Sequence, residues 1–487
     1  MDKIVCLTLI SLTLIFTLGC HKTTVTNNGS IQGTVVLDGE TVHSGITVLL
    51  YVDNTFENDL KQICEDYPSV GFPIESRHLF DHRMNTPIKE TITADNGFYS
   101  FTDVPHGKYI VVYYKVGWGY NYLFDIELNN DLYTITNECN SLFATIQVPF
   151  INHDEYHFLA DRCYLIEGDS FFLSDSSIYL EQGTRILVAP NSKITIGGNL
   201  FVTANPGSMI HLTSSDQIYE YNISPLVARS IEILPSANFN ELSHLMLSYF
   251  ADGLIIRASD TTIKNSVFYH NTRSCYFENS VNHDFCNNFV MNNLVSIPAV
   301  GFQQGNNVRI ERNCFLDNHT SLKLDLTYNS LVRNNLFTGG ELHIDQVYSS
   351  SGLIEFNDFK QVTRSISNSS KSNMTIQFNQ FESDVCIFLG TGDFNTIDQG
   401  WTKANSNNFS ANSYVVEATT KYYYSNNDPY PLDFTNNYWS TSTITDIPAL
   451  IYDMNDAGPS SDEWNWARVD YIPIRTSQVP TAGIQPL

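Results

Sequence analysis

The chain has 487 residues, of which 42% are hydrophobic and 13% aromatic, so it is long enough for two or three domains with a large core. Its 52 acidic residues outnumber 26 basic ones, which gives a formal net charge of −26. This charge, with no basic stripe in the sequence, argues against nucleic acid as a partner, because nothing would neutralise the phosphates.

The first residues, "MDKIVCLTLISLTLIFTLGC", predict a secretion signal. The apolar run after Lys3 is shorter than the roughly 20 residues that a membrane span needs. The "TLGC" ending resembles the lipobox of bacterial lipoproteins, although Thr17 stands where that family usually has Leu. The resemblance implies that residues 1–19 are removed, that Cys20 is lipidated and that residues 20–28 form a tether. A simple secretory signal is the alternative.

Residues 29–147 contain short alternating runs cut by Gly, such as "GSIQGTVV", "NGFYSF" and "GKYIVVYY". This pattern is typical of an antiparallel sandwich. The runs resemble the carboxypeptidase-regulatory-like, transthyretin-like β-sandwich, with a departure in a long insertion at 53–92. The resemblance implies a non-catalytic spacer, followed by a linker at 148–160. The matching elements are Gly33-x-Val35, Gly45-x-x-Val48, Asp95-x-Gly97-x-Tyr99-x-Phe101 and Pro105-x-Gly107-x-Tyr109.

From Asp161 the chain consists of short strands cut by Gly and Pro. Its phrases, among them Gly183-Thr184 and Gly198-Asn199-Leu200, resemble the opening coils of right-handed parallel β-helices of the pectate-lyase-like superfamily. The resemblance extends over 161–474 and implies an all-β fold overall. It is specific for fold and not for function, because this fold carries lyases, hydrolases, epimerases, adhesins and inert spacers.

A repeat supports the same fold. The phrases "LVRNNLF", "LIEFNDF" and "TIQFNQF" place Asn335, Asn357 and Asn379 at a constant period of 22 along the chain. Each repeat predicts one coil, in which an inward Asn bonds the Asn above and below and so satisfies buried polar groups. The predicted ladder consists of Asn265, Asn287, Asn313, Asn335, Asn357, Asn379, Asn407 and Asn437, each followed two residues later by an apolar side chain.

Residue offsets counted from each ladder Asn show which side chains point inward and which point outward. They predict an exposed patch on adjacent strands, formed by Lys323, Asp325, His343 and Asp345. β-helix lyases use a Lys or Arg base, and acids that often neutralise a uronate through calcium. The patch is therefore a catalytic candidate. No cofactor and no metal site are predicted, although the acids would suit calcium. The alternative is an ordinary surface ion-pair cluster.

Three predicted coils are longer than the period of 22 residues. Their extra residues are expected at 298–307, 390–401 and 419–431, emerging from one edge of the solenoid. Aromatic rings beside amides and carboxylates suit sugars. The alternative is that the loops pack their own rings onto the solenoid. The predicted ligand-binding residues are Phe302, Phe394, Trp401, Tyr422, Tyr423, Tyr424 and Tyr430.

Solenoid ends need caps, and the capping segment is expected at 440–474, with a short helix within "STITDIPALIYDMND" and a tail at 475–487.

Cysteines of the repeat region are expected to be buried thiols. Cys64 with Cys139 is a candidate bridge.

These features favour a monomeric bacterial lipoprotein of the outer membrane or cell surface, held by its N-terminal lipid. Its β-helix would bind an extracellular polysaccharide or a surface protein. One alternative is a polysaccharide lyase or hydrolase on the same scaffold, and the other is a structural or adhesin rod without a small ligand.

Overall fold

The computed structural model describes residues 27–53, 60–74, 76–136, 141–148, 154–215, 228–239, 241–293, 295–368, 372–390, 402–419, 421–423, 431–457, 464–466 and 468–486. The predicted signal segment, Cys20 and Cys139 lie outside these ranges. No helix within them is long and apolar enough to cross a membrane. The chain is all-β, with an N-terminal unit followed by a parallel β-solenoid, as the sequence predicts.

The N-terminal unit places two groups of strands around one core. Ile31, Tyr99 and Phe101 from one group meet Val48 and Val111 from the other. The first group is Asn28–Thr34, Val36–Leu37, Phe98–Pro105, Leu132–Ile135 and Ser141–Leu142, and the second is Thr47–Val52, Lys89–Ile92, Gly107–Lys115 and Gly119–Leu128. The transthyretin-like topology stays a prediction.

Three strands recur in each solenoid coil and stack in parallel as three faces. Face 1 is Glu155–Phe158, Ser177–Glu181, Asn199–Thr203, Glu241–Ser243, Thr262–Lys264, Val281–Cys286, Asn306–Glu311, Ser330–Arg333, Ser351–Glu355, Asn373–Gln377 and Lys403–Asn405. Face 2 is Ile146–Val148, Cys163–Ile166, Arg185–Val188, Ile210–Ser214, Leu245–Ser248, Val267–Tyr269, Phe289–Met291, Cys314–Leu316 and Leu336–Thr338. Face 3 is Ser170–Phe172, Lys193–Ile196, Ala228–Ile233, Phe250–Ile256, Arg273–Glu278, Val300–Gln303, Thr320–Asp325, Leu342–Val347 and Ile451–Tyr452. Three long strands, Asp358–Asn368, Gln380–Leu389 and Asn408–Ala418, pass from face 2 into face 3.

The solenoid begins earlier than the predicted boundary at 161. Ile146–Val148 and Glu155–Phe158, assigned to the sandwich end and the linker, pair in parallel with the next coil. Such short strands do not contain enough positions for a pattern of alternation to reveal them.

The amide ladder is confirmed from Asn313 to Asn437. Along it, each side-chain oxygen accepts both the backbone N–H, at 2.9 Å, and the side-chain amide, at 3.0 Å, of the preceding Asn. All six amides are fully buried. The aromatic residue two positions later forms a second column, whose rings lie 4.7–5.5 Å apart.

The ladder prediction was wrong for Asn265 and Asn287. Both adopt a left-handed backbone, with φ of 49° and 56°, at the corner just before the ladder position. Ser266 and Asn288 take that position, and the Asn288 side chain donates to Asn313 Oδ1 at 3.1 Å. In "CNNF" the sequence offers two neighbouring Asn, and the ring that follows does not tell them apart.

A second amide ladder was missed. Asn271, Asn293 and Asn318 stack at another corner, where backbone N–H groups donate to the next side-chain oxygen at 3.1 and 3.2 Å. Their successive spacings, 22 and then 25, equal those of Ser266, Asn288 and Asn313, which is the signal that could have revealed them.

The insertion of the N-terminal unit covers the outer side of face 2. Its helical segments are Leu60–Asp66 and the 3-10 turn Ser76–Leu79. Phe72 packs on Phe289, and a Cβ on Gly71, whose φ is +67°, would lie 2.5 Å from the Phe289 ring. The Gly71 N–H donates to Arg312 O at 2.7 Å. Face 2 is therefore core on both sides, and faces 1 and 3 keep outward-facing side chains that line the surface.

The C-terminal segment closes the solenoid and then returns along it. A 3-10 helix, Ile444–Leu450, buries Ile447 as the predicted cap, and a short α-helix follows at Met454–Ala457. The tail runs back, so that the Gln485 N–H reaches Asn334 Oδ1 at 3.1 Å. Two further pairs, Lys421–Tyr423 with Trp464–Trp466 and Pro431–Asp433 with Arg468–Asp470, complete this end.

The cysteines are thiols wherever the structure describes them. Cys275, Cys314 and Cys386 are buried, as predicted for the repeat region, and Cys286 is half-buried. The proposed bridge from Cys64 is wrong, because Cys64 is a free thiol that donates to Phe72 O at 3.3 Å.

Candidate functional site

Lys323, Asp325 and Asp345 lie together on the outer side of face 3. Leu322 and Leu324 alternate with the first two and point into the core. Lys323 and Asp345 are direct register partners on neighbouring strands, so their Cβ atoms are separated by one strand spacing of about 4.8 Å. The structure therefore brings together three of the four predicted catalytic side chains.

His343 was placed wrongly on that patch. It is fully buried, packs against Phe337 and Phe359, and bonds Gly339 O through Nε2 at 3.0 Å. Two consecutive residues at the start of this strand are buried, because the chain is still turning the corner, so alternation begins one residue late. Burial lowers the pKa of His343 to about 3, which keeps the ring neutral.

A hollow of about 90 Å³ opens on face 3 beside Lys323. Gly301 lies between Tyr276 on one neighbouring strand and Lys323 on the other. A Cβ at Gly301 would lie 2.8 Å from the Tyr276 ring, so the absence of a side chain there lets that ring lie against the strand at the edge of the hollow. Arg273, Pro298, Phe302 and Asp325 complete the lining.

Tyr276 is fixed in place as one wall of this hollow. Its hydroxyl donates to Gln303 Oε1 at 2.7 Å, and the Arg273 guanidinium lies 4.3 Å from the ring centre. Arg273 also forms an ion pair with Asp252 at 3.4 Å, so each of these two charges has a partner of opposite sign. These contacts hold an aromatic surface beside the ammonium of Lys323, an arrangement that suits a small polar ring.

The charges at the hollow are only partly compensated. Lys323 forms no ion pair within the described part of the chain. Asp325 Oδ1 is buried and has no hydrogen-bond partner among the described residues. Burial raises the pKa of Asp325 and of Asp345, and the charge of Lys323 opposes both shifts.

The same face looks different nearer its start. There Lys193 pairs with Glu232 at 3.3 Å, and Arg257 bridges Glu232 at 3.6 Å and Glu278 at 2.7 Å. This ion ladder neutralises itself across the strands. The alternative of a plain ion-pair cluster therefore describes the start of face 3 and not the hollow.

The structure contradicts part of the predicted aromatic edge. The Phe302 ring is buried in the core, stacked on Phe277 at 4.3 Å, so it does not stand on an exposed edge as predicted, although the residue borders the hollow. The pairing of Cys275 with Val300 and of Val300 with Leu322 places the extra residues of that coil before Ala299, at a different corner from 390 and 419. Tyr422 and Tyr423 lie in the strand Lys421–Tyr423. Phe394, Trp401, Tyr424 and Tyr430 lie outside the described residues.

The sequence reasoning missed Arg273, Tyr276, Gly301 and Gln303. The signal for them was a small residue, Gly301, at the outward position of an otherwise alternating strand, "AVGFQ". Finding it required the register between coils, and the one-residue error at Asn287 hid that register. Among the described residues, no group of three or more His, Cys, Asp or Glu could hold a metal ion.

No protein-family model matches the chain, and no curated protein matches its sequence. Among solved structures, the chain is similar to the periplasmic alginate epimerase AlgG, at 11% identity and a TM-score of 0.37 over 59% of this chain and 74% of that one. It is also similar to an alginate lyase from Paenibacillus sp. str. FPU-7, at 11% identity and a TM-score of 0.29 over 57% and 92%. These scores are too low to carry an argument about the site.

Proposed function

We propose that the protein binds a polysaccharide along face 3, with the hollow at Gly301 as the point of recognition. The observation that carries this proposal is the contrast on a single face between a self-neutralised ion ladder and a hollow with an unpaired ammonium and an unpartnered carboxylate oxygen, as far as the structure describes their surroundings. Sugar hydroxyls both donate and accept hydrogen bonds, so one ring could satisfy both groups while it contacts Tyr276.

The shape of the face supports a polymer over a small metabolite. The outward column continues from Tyr276 through Gly301, Lys323, Asp345, Ser367, Phe388 and Glu417 to Tyr452. Seven strand spacings of about 4.8 Å give roughly 34 Å, enough for several sugar units.

The test is retention of the purified protein on immobilised polysaccharides. Lys323→Met should weaken retention at least about tenfold, since a charge-assisted hydrogen bond is lost. Lys193→Met is the matched control, because Lys193 lies on the same face but is already paired, and it should bind like the parent. Equal retention of the two variants would contradict the site, and no retention of the parent on any glycan would favour the rod.

A lyase or hydrolase is the second candidate. Two carboxyls with pKa values raised by burial lie beside an ammonium, so a proton donor and an acceptor are both at hand. New reducing or unsaturated ends in the same incubations, lost in Asp325→Asn, would favour catalysis. Binding without products would favour the binding protein.

Attachment to the bacterial envelope is part of the proposal. It rests on Gly19 and Cys20 at the end of the apolar run. Cys20→Ala should move the protein from the membrane fraction to the soluble one. Mass spectrometry that finds no lipid on the mature N-terminus would exclude the anchor.

A further inference from the structure

We infer that the hollow takes an uncharged sugar residue and rejects polyuronates, an inference that rests on the proposed function and specifies its ligand. The reason is the balance of charge around the hollow. Arg273 is compensated by Asp252, which leaves the single ammonium of Lys323 facing the carboxylates of Asp325 and Asp345.

A polyuronate would add one carboxylate per ring beside a group of charges with one more acid than base, once Asp252 and Asp345, which adjoin the hollow, are counted with Arg273, Lys323 and Asp325. A uronate carboxylate within one strand spacing of Asp325 or Asp345 would be repelled, because like charges this close near a protein surface interact unfavourably. The rest of the molecule adds to this effect, since its formal net charge is −26. Association with a polyanion would therefore be both weaker and slower.

The same groups suit neutral hydroxyls. Asp325 Oδ1 is buried without a hydrogen-bond partner among the described residues, so it gains most from a donor that needs no counter-charge. Ser367 is the register partner of Asp345 on the next strand, so a neutral hydroxyl already lies beside that carboxylate. Lys323, on the same strand as Asp325, can donate to another oxygen of the sugar.

The experiment compares immobilised neutral glycans (xylan, galactomannan and a β-glucan) with two polyuronates, polygalacturonate and alginate, at low and high salt. The parent should be retained by at least one neutral glycan equally at both salt concentrations, and should pass through both polyuronates. The double variant Asp325→Asn with Asp345→Asn should lose neutral-glycan affinity at least tenfold and gain salt-sensitive retention on a polyuronate.

Glu382→Gln with Asp384→Asn is the matched control. Both residues are exposed, and the change in net charge is the same, so this variant should behave like the parent if the local charge decides. Retention of the parent on a polyuronate would overturn this inference and leave the proposed function standing. Retention on none of them would overturn the proposed function itself.

Discussion

Two rows of polar side chains run along the solenoid, and they are treated in opposite ways. In the inner row, from Asn313 to Asn437, each amide oxygen after the first accepts two hydrogen bonds from the preceding coil. In the outer row on face 3, Lys323 is unpaired and Asp325 Oδ1 has no partner in the described chain. The repeat therefore satisfies the hydrogen bonds of the inner row within the fold. At the outer row it leaves polar groups without partners among the described residues, and these are the groups that we propose a ligand contacts.

The difference follows from what each row repeats. Identical amides at a spacing of about 4.8 Å can each be donor and acceptor, so a column of them satisfies itself. Lysine donates only and ionised aspartate accepts only, so a mixed row depends on which charges meet. At the start of face 3 they meet as Lys193, Glu232 and Arg257, whereas at the hollow Gly301 separates Tyr276 from Lys323 and no such pairing forms among the described residues.

The largest expected effect comes from breaking the inner row. Asn357→Leu should lower the free energy of unfolding by about 1–3 kcal/mol, because the backbone N–H and amide of Asn335 lose their acceptor and the carbonyl oxygens of Val332 and Glu355 lose their donor. Chemical denaturation monitored by circular dichroism measures the change.

Asn373→Leu is the control for that experiment. Asn373 is exposed on a face 1 strand, so its replacement should change the free energy of unfolding by no more than about 0.5 kcal/mol. A loss of equal size in both variants would mean that the column adds nothing specific to stability.

The sequence predicted the solenoid well because the fold has a strict period. The constant interval from Asn313 to Asn379 encodes both the coil length and the amide ladder. The ladder prediction failed at "CNNF", where Asn287 and Asn288 are adjacent. Only the left-handed backbone at Asn287 decides which of the two side chains turns inward.

The site was harder to predict, for two physical reasons. Inward and outward positions do not alternate through a corner, so His343 is buried although Asp345 is outward. The hollow depends on the absence of a side chain at Gly301 and on a neighbour from the preceding coil, Tyr276, which only the register between coils brings together. The covering of face 2 by the insertion was also beyond the sequence, because its contacts are with coils that come much later in the chain.

The smallest expected effect tests the polar group that the repeat left incompletely satisfied inside the core. His343 Nδ1 is buried without a hydrogen-bond partner among the described residues, and burial lowers the pKa of the ring from 6.5 to about 3. Because the folded pKa lies below the unfolded one, the contribution of His343 is fully present above pH 6.5 and is lost as the pH falls from there toward 3.

His343→Gln removes this proton uptake by the unfolded chain. The variant can be less stable at pH 8, but its loss of unfolding free energy between pH 8 and pH 6 should be smaller than that of the parent by on the order of 1 kcal/mol. His319→Gln is the control, since the side chain of that histidine is partly exposed and its Nε2 lies 2.8 Å from Glu341 Oε2. An equal loss in the parent and in His343→Gln would show that His343 does not have to stay neutral in the fold.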